Sequence, residues 1–249
     1  MQSSKRTPRS AVGMSAFTLV EMLVVIAIIS ILMTVGSIGL SGMGGKGVSS
    51  GVATAESLFD EARATAVGRN LRACILIAKD LKNNHAEDLR RIVVAIEPLD
   101  SKGLPTTLPG QEPKWVLSSR GAVLPEQTFF SERFSNKDHT ADPDDVETRE
   151  SGSIDTVVLE EVSKAYQGEY FIYEFNGQGI PKYSKGASFV IGSGARNSNL
   201  PASTQPPRVT SSAKRDFGGF VIWRNGRTST FRNPEQISEE ITSLRPGET

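Results

Sequence analysis

The sequence predicts an α+β chain. A long N-terminal apolar helix passes through a glycine-rich hinge into a domain of one helix followed by antiparallel β-structure. Three observations carry this. Phe17 to Leu40 is apolar apart from Glu21 and a few small hydroxyls. Val52 to Ala66 repeats apolar residues at helical spacing, and the chain beyond Leu71 is a series of short runs rich in β-branched and aromatic residues.

The N-terminal segment comes first. As a helix, Phe17–Leu40 would be about 36 Å long at roughly 1.5 Å per residue, enough to cross a bilayer. The preceding residues 1–16 hold Lys5, Arg6 and Arg9 and no acid, so the positive-inside tendency keeps that end in the cytoplasm and exports the rest. A cleaved secretory signal has a shorter apolar core that ends at a small-residue site. Here the small residue, Ala16, precedes the apolar run, so processing at that point removes only the basic leader and leaves the membrane segment in place.

Ala16-Phe17-Thr18-Leu19-Val20-Glu21 resembles the prepilin cleavage motif of the type IV pilin and type II secretion pseudopilin superfamily: a small residue, then Phe-Thr-Leu-Val/Ile-Glu and an apolar helix. One departure is Ala16, where the family usually has glycine. The resemblance implies a pilin-like fold, cleavage by a prepilin peptidase between Ala16 and Phe17, and methylation of the new amine of Phe17. It also gives Glu21 a role. A carboxylate at the centre of a membrane span costs on the order of 3 kcal/mol. In the family it pairs with the positive N-terminus of a neighbouring subunit as the filament assembles. An ordinary signal anchor with Glu21 near the interface is the plainer alternative.

Residues 41–51, within the glycine-rich run Gly36–Gly51, follow as a hinge. That run holds seven glycines, each costing a helix roughly 1 kcal/mol relative to alanine. Residues 52–249 then form the exported domain. Val52, Ala55, Leu58, Phe59, Ala62 and Ala66 make one apolar stripe opposite Glu56, Asp60 and Arg63, placing this helix against a sheet. Strands are expected in RACILIA, RRIVVAIE, KWVLSS, DTVVLEE, EYFIYEF, ASFVIG and GGFVIWR. Asn225-Gly226 reads as a two-residue hairpin turn with positive φ at both positions, and Asn176-Gly177 as a similar candidate.

Within this domain, Ala62, Arg63, Ala66, Arg69 and Asn70 resemble the segment that ends the long helix in the GspH/FimT group of minor pseudopilins and minor pilins. Phe175 to Gly179 and the Gly-Arg hairpin at Phe217 to Arg232 resemble two further segments of that group. A similar layout occurs in prepilin-like proteins of Verrucomicrobia, and the motifs do not separate the two relatives.

The composition is compatible with this plan. The chain has 28 basic and 28 acidic residues, and without the leader 25 against 28, a net charge of −3, so nothing demands nucleic acid. One cysteine, Cys74, excludes an internal disulfide. Asn136–Glu150 carries six acids and reads as a mobile surface loop. Asp142, Asp144 and Asp145 offer oxygen ligands, but their spacing lacks the alternation and closing glutamate of a calcium loop, so no metal is expected.

The terminal hairpin offers one local site. A two-residue turn would set Arg224 directly opposite Arg227, a like-charge pair that invites an anion. Arg208, Lys214, Arg215 and Arg232 lie nearby in sequence, with Trp223 and Phe231 interleaved, so a nucleic-acid backbone is a conceivable partner. Relatives that bind DNA during uptake carry Gly-Arg-x-Arg here, whereas Gly226-Arg227-Thr228-Ser229 lacks the second arginine. Two arginines satisfied by water or by Glu235 and other acids is the preferred reading.

Catalysis has no motif to rest on. His85 and His139 are the only histidines, and Cys74 sits in an apolar strand, so neither a catalytic site nor a cofactor is expected. The expected function is a structural subunit, a minor pilin or pseudopilin of a type IV pilus or type II secretion pseudopilus. Its partners would be the prepilin peptidase, other pilin subunits and the bacterial inner membrane, with the C-terminal domain periplasmic. The alternatives are a DNA-binding minor pilin and an unassembled membrane-anchored envelope protein.

Overall fold

In the computed structural model the structure describes residues 19–29, 43–107, 111–139, 152–183, 185–209 and 216–231. The chain divides between Gly42 and Met43 into two units. The first contributes one described helix, α1, over residues 19–29. Only this part of the expected 17–40 helix falls within the described residues, among which no helix is long and apolar enough to cross a membrane.

The second unit opens with α2, Met43–Arg69, and continues, among the described residues, with ten strands. These are β1 (Ala73–Leu81), β2 (Arg91–Ile96), β3 (Val116–Leu117), β4 (Ala122–Val123), β5 (Thr128–Phe130), β6 (Thr156–Leu159), β7 (Gly168–Phe175), β8 (Ala187–Ser193), β9 (Phe217–Ile222) and β10 (Thr228–Phe231). They form two antiparallel sheets. One has the order β3-β2-β1-β7-β6, with β4 also paired to β2; the other runs β10-β9-β8-β5. The α+β class expected from the sequence is therefore present. The strands β4 and β5 went unread because two or three residues show no alternation to recognise.

Alternation along each strand decides which residues meet α2. Ile75, Ile77, Val94, Phe171 and Tyr173 of the first sheet share one core with Phe189, Ile191, Phe220 and Ile222 of the second, and with the whole expected α2 stripe. Phe59 lies at its centre. Its ring is edge-on to Phe220 at 5.0 Å, Tyr173 at 5.2 Å, Phe189 at 5.4 Å and Phe175 at 6.4 Å between centroids. The opposite residues of β1, Cys74, Leu76 and Ala78, join a second buried cluster with Trp115, Tyr170 and Ile172. Both faces of β1 are therefore covered over Ala73–Ala78, which is why that part of its sequence is apolar without a break.

The expected hinge over residues 41–51 requires correction, because α2 begins at Met43 and residues 43–51 are helical. Close packing supplies the reason. A Cβ on Gly51 would lie 2.8 Å from Ile191 Cδ1 and 3.3 Å from Thr128 Cγ2, and one on Gly47 3.2 Å from Thr128 Oγ1. The absence of side chains at Gly47 and Gly51 lets the helix approach β5 and β8, and buries Val48 and Val52 beside them. Tertiary burial thus outweighs the roughly 1 kcal/mol each glycine costs the helix.

Two substitutions on α2 should separate packing from propensity. Phe59→Ala empties the meeting point of four rings and should cost about 3–5 kcal/mol. Gly68, whose added Cβ meets nothing within 4 Å, should gain roughly 0.5–1 kcal/mol as alanine. Denaturant titration of both variants measures the two signs, and a loss of under about 1 kcal/mol for Phe59→Ala would contradict this account of the core.

Candidate functional site

The sites marked out by sequence lie at two places. At the first, Ala16 and Phe17 are outside the described residues, while Glu21 lies on α1. Every large apolar side chain of α1, from Leu19 to Ile29, is at least 46 % exposed. Because these residues occupy nearly consecutive positions, the helix is apolar around its circumference rather than along one stripe, a pattern suited to lipid or to the interior of a helix bundle.

The second place lies where the C-terminal end of α2 meets two turns. Arg69 closes the helix, and Asn70 takes the left-handed conformation at φ 50°. The Asn70 N–H donates to the Val67 carbonyl (3.3 Å) and the Leu71 N–H to the Ala66 carbonyl (3.2 Å), a Schellman cap with asparagine in the usual glycine position. One turn back, Ala62 and Ala66 are fully buried, and Arg63 leaves the same helix toward the turns.

Those turns share one form. In Asn176–Gly179 the Gly179 N–H donates to the Asn176 carbonyl at 2.8 Å; in Trp223–Gly226 the Gly226 N–H donates to the Trp223 carbonyl at 2.7 Å. Each closing glycine has positive φ, 71° for Gly179 and 74° for Gly226. Arg63 joins the two turns: its Nε donates to the Gly179 carbonyl (3.3 Å) and its Nη2 to the Asn225 carbonyl (3.0 Å). A Cβ on Gly226 would collide with both Arg63 and the Gly179 carbonyl, so glycine is needed there for space as well as for φ.

This geometry corrects the hairpin reading. Positive φ falls on Gly226 alone, not on Asn225, so the loop has three residues and ends in a bulge. The register Thr228↔Ile222 places Arg227 opposite Trp223, with the Trp223 N–H on the Arg227 carbonyl at 2.9 Å, while Arg224 sits within the turn. Arg224 and Arg227 are therefore not the directly opposed pair that the two-residue turn required. Asn225 favours the longer loop because its Oδ1 accepts the Arg227 N–H at 2.9 Å. Likewise Asn176-Gly177 is not a two-residue turn. Asn176 Oδ1 instead accepts the N–H groups of Gln178 (2.9 Å) and Ile180 (3.0 Å).

Of the aromatics interleaved with the arginines, Phe231 is buried and so presents no stacking face. Trp223 is half-buried, with Nε1 donating to Ser229 Oγ at 2.8 Å and its ring edge-on to His139 at 5.0 Å. Ile180, Trp223, Arg224 and Asn225 line an open depression beside the hairpin. Lys214, Arg215, Arg232, Glu235 and Asp142, Asp144 and Asp145 lie outside the described residues. The loop expected to be mobile from Asn136 begins with ordered contacts: Asn136 is buried, and the His139 N–H donates to the Gly186 carbonyl at 3.0 Å.

Two other groups with reactive chemistry are committed to the fold. Burial pushes the Cys74 thiol well above its ordinary pKa, and a neutral buried thiol is a poor nucleophile. The buried Asp88 accepts N–H groups from Leu81 (2.8 Å) and Ala202 (3.2 Å) and faces Arg196 Nη1 at 3.5 Å. Burial raises its pKa, and these donors oppose the shift. It tethers the chain around Ala202 to the β1–β2 connection.

Arg63→Ala should leave two turn carbonyls without their cationic donor and cost about 1–3 kcal/mol, with Arg63→Lys recovering only part. Hydrogen exchange at residues 176–180 and 223–227 should rise together in Arg63→Ala. Faster exchange in only one turn would show that the arginine does not couple them.

Comparison with known proteins adds the following. Residues 13–42 match the family model for the prokaryotic N-terminal methylation motif. No curated protein matches the chain. Among solved structures the chain is similar to the type IV minor pilin FimU of Pseudomonas aeruginosa (strain PAO1), at 12 % identity over 74 % of this chain and 87 % of that one, with a TM-score of 0.32. A likeness that low carries neither fold nor function from one protein to the other. The N-terminal match is specific to a segment, and it shows that residues 13–42 carry the prokaryotic N-terminal methylation motif.

Proposed function

We propose that the chain is a minor pilin-like structural subunit of a type IV pilus or secretion pseudopilus. It is made as a precursor, cleaved between Ala16 and Phe17, methylated at Phe17 and assembled from the bacterial inner membrane through its N-terminal helix. One observation supports this above the others. The segment matching the methylation motif, 13–42, contains a helix whose large apolar side chains are all exposed, and the unit that follows has a core of its own.

On this reading the chemistry at the N-terminus is electrostatic. Cleavage by the prepilin peptidase creates a cationic amine at Phe17, in apolar surroundings where Glu21 would otherwise be costly by about 3 kcal/mol. Pairing Glu21 with the Phe17 amine of a neighbouring subunit offsets that cost and fixes the axial register between subunits. The domain beyond Gly42 then faces the periplasm, and the activity is structural, with no catalytic step assigned to Cys74, His85 or His139.

Intact mass and N-terminal sequencing of the protein from its own membranes test the processing. The expected product starts at methylated Phe17 and depends on an active prepilin peptidase. A retained leader in peptidase-positive cells would favour an unassembled membrane anchor.

Glu21→Ala tests the pairing. The variant should reach the membrane at normal levels yet fall in filament incorporation by about ten-fold or more, as a penalty of about 3 kcal/mol implies. Undiminished incorporation would remove the proposed role of this carboxylate.

A further inference from the structure

We propose that Asn176 is a self-modifying site: its side chain cyclises onto the Gly177 nitrogen and hydrolyses to aspartate or isoaspartate, while the fold protects Asn225 from the same reaction. The inference concerns only the second unit and does not rest on the filament reading. Asn-Gly occurs twice in the chain, at 176–177 and 225–226. A glycine after asparagine has no side chain to hinder approach of the backbone nitrogen to Cγ, so both sites start with the same chemistry.

The turns separate them, because the dipeptide sits at a different position in each. In Asn176–Gly179 the asparagine is the first residue, and the bond that closes the turn uses the Gly179 N–H. The Gly177 N–H has no hydrogen-bond partner among the described residues, and Asn176 is exposed. In Trp223–Gly226 the asparagine is the third residue, so the nitrogen that would attack is the one that closes the turn. The Gly226 N–H donates to the Trp223 carbonyl at 2.7 Å, and Gly226 is buried. To react, it must give up that bond and reach solvent.

The side-chain carbonyls differ in the same direction. Asn176 Oδ1 accepts two backbone N–H groups, from Gln178 at 2.9 Å and Ile180 at 3.0 Å, whereas Asn225 Oδ1 accepts one, from Arg227 at 2.9 Å. Attack on Cγ turns this oxygen into an oxyanion, and donors already in place stabilise the charge as it develops. Packing also retains the labile pair. A Cβ on Gly177 would lie 2.9 Å from the Asn70 carbonyl carbon and 3.1 Å from the Leu71 nitrogen, so a bulkier residue that would slow cyclisation does not fit.

The reaction needs only water and hydroxide. Hydroxide takes the proton from the Gly177 nitrogen, the N–Cγ bond forms as the Cγ–Nδ2 bond breaks, and ammonia leaves with a proton from water. A second water then opens the succinimide at one of its two carbonyls. Opening at Cγ leaves aspartate; opening at the main-chain carbonyl leaves isoaspartate, whose main chain is longer by one carbon. Either product places a carboxylate in the turn whose Gly179 carbonyl accepts Arg63.

The test incubates the full chain, folded in detergent, in mildly alkaline buffer and follows it by peptide mapping with mass spectrometry. The peptide holding Asn176 should gain about 1 Da and resolve into aspartate and isoaspartate forms. Its rate should exceed that of the Asn225 peptide by at least about ten-fold. In guanidinium chloride the two rates should converge, because the turns that distinguish them are gone. Comparable rates in the folded chain, faster reaction at Asn225, or no reaction at Asn176 overturns the proposal. So does a gap that persists in denaturant, which would assign the difference to local sequence rather than to the fold.

Discussion

The second unit depends on one helix serving two sheets. α2 presents Phe59 to aromatic rings from β7, β8 and β9 at once, so the inner faces of both sheets are organised around a single side chain. Edge-to-face contacts of this kind add about 0.5–1.5 kcal/mol each to the burial of the rings. The neighbouring positions must then be small. Ala55, Ala62 and Ala66 are fully buried, and Gly47 and Gly51 bring the backbone against β5 and β8. The alternation of one large ring with small residues sets the depth at which the helix sits.

Arg63 follows from that placement. It lies one residue beyond Ala62 and therefore turns out of the core at the end of the helix, where the β7–β8 and β9–β10 connections come together. Its guanidinium reaches Gly179 and Asn225, residues 116 and 162 positions away in sequence. Three segments far apart along the chain, 62–70, 175–179 and 223–227, thus converge on one place. Their shared geometry has a physical basis: a planar donor bridging two carbonyls requires both turns to expose a carbonyl, and both do so by placing glycine at positive φ.

Much of this was legible in the sequence. The α2 stripe from Val52 to Ala66 was readable because a helix with one buried face repeats at three and four, and the long strands were readable from β-branched and aromatic runs. The start of α2 was not. Glycine was weighed by its intrinsic cost, whereas at Gly47 and Gly51 the absent side chain is what permits packing, information held by residues more than 70 positions away. The hairpin tip failed for a related reason. Asn-Gly signals a two-residue turn, but an asparagine that accepts the N–H two residues on stabilises the three-residue form equally well. The convergence on Arg63 had no local signal, since a half-exposed arginine on a helix ordinarily reads as a solvated charge.

The two units also bury their apolar surface in different ways, and this difference bears on the division of labour between them. The unit beyond Gly42 closes its core within itself: the α2 stripe is covered by its own sheets, and both faces of β1 are buried over Ala73–Ala78. α1 does the opposite, exposing large apolar side chains at successive positions around its axis, so no single packing face within one chain would suffice to cover it. A helix of this kind needs an environment on all sides, which lipid provides first and a bundle of identical helices provides equally. On the proposed reading, Glu21 makes that exchange selective, because a bundle places the cationic Phe17 amine of a neighbouring subunit beside the carboxylate.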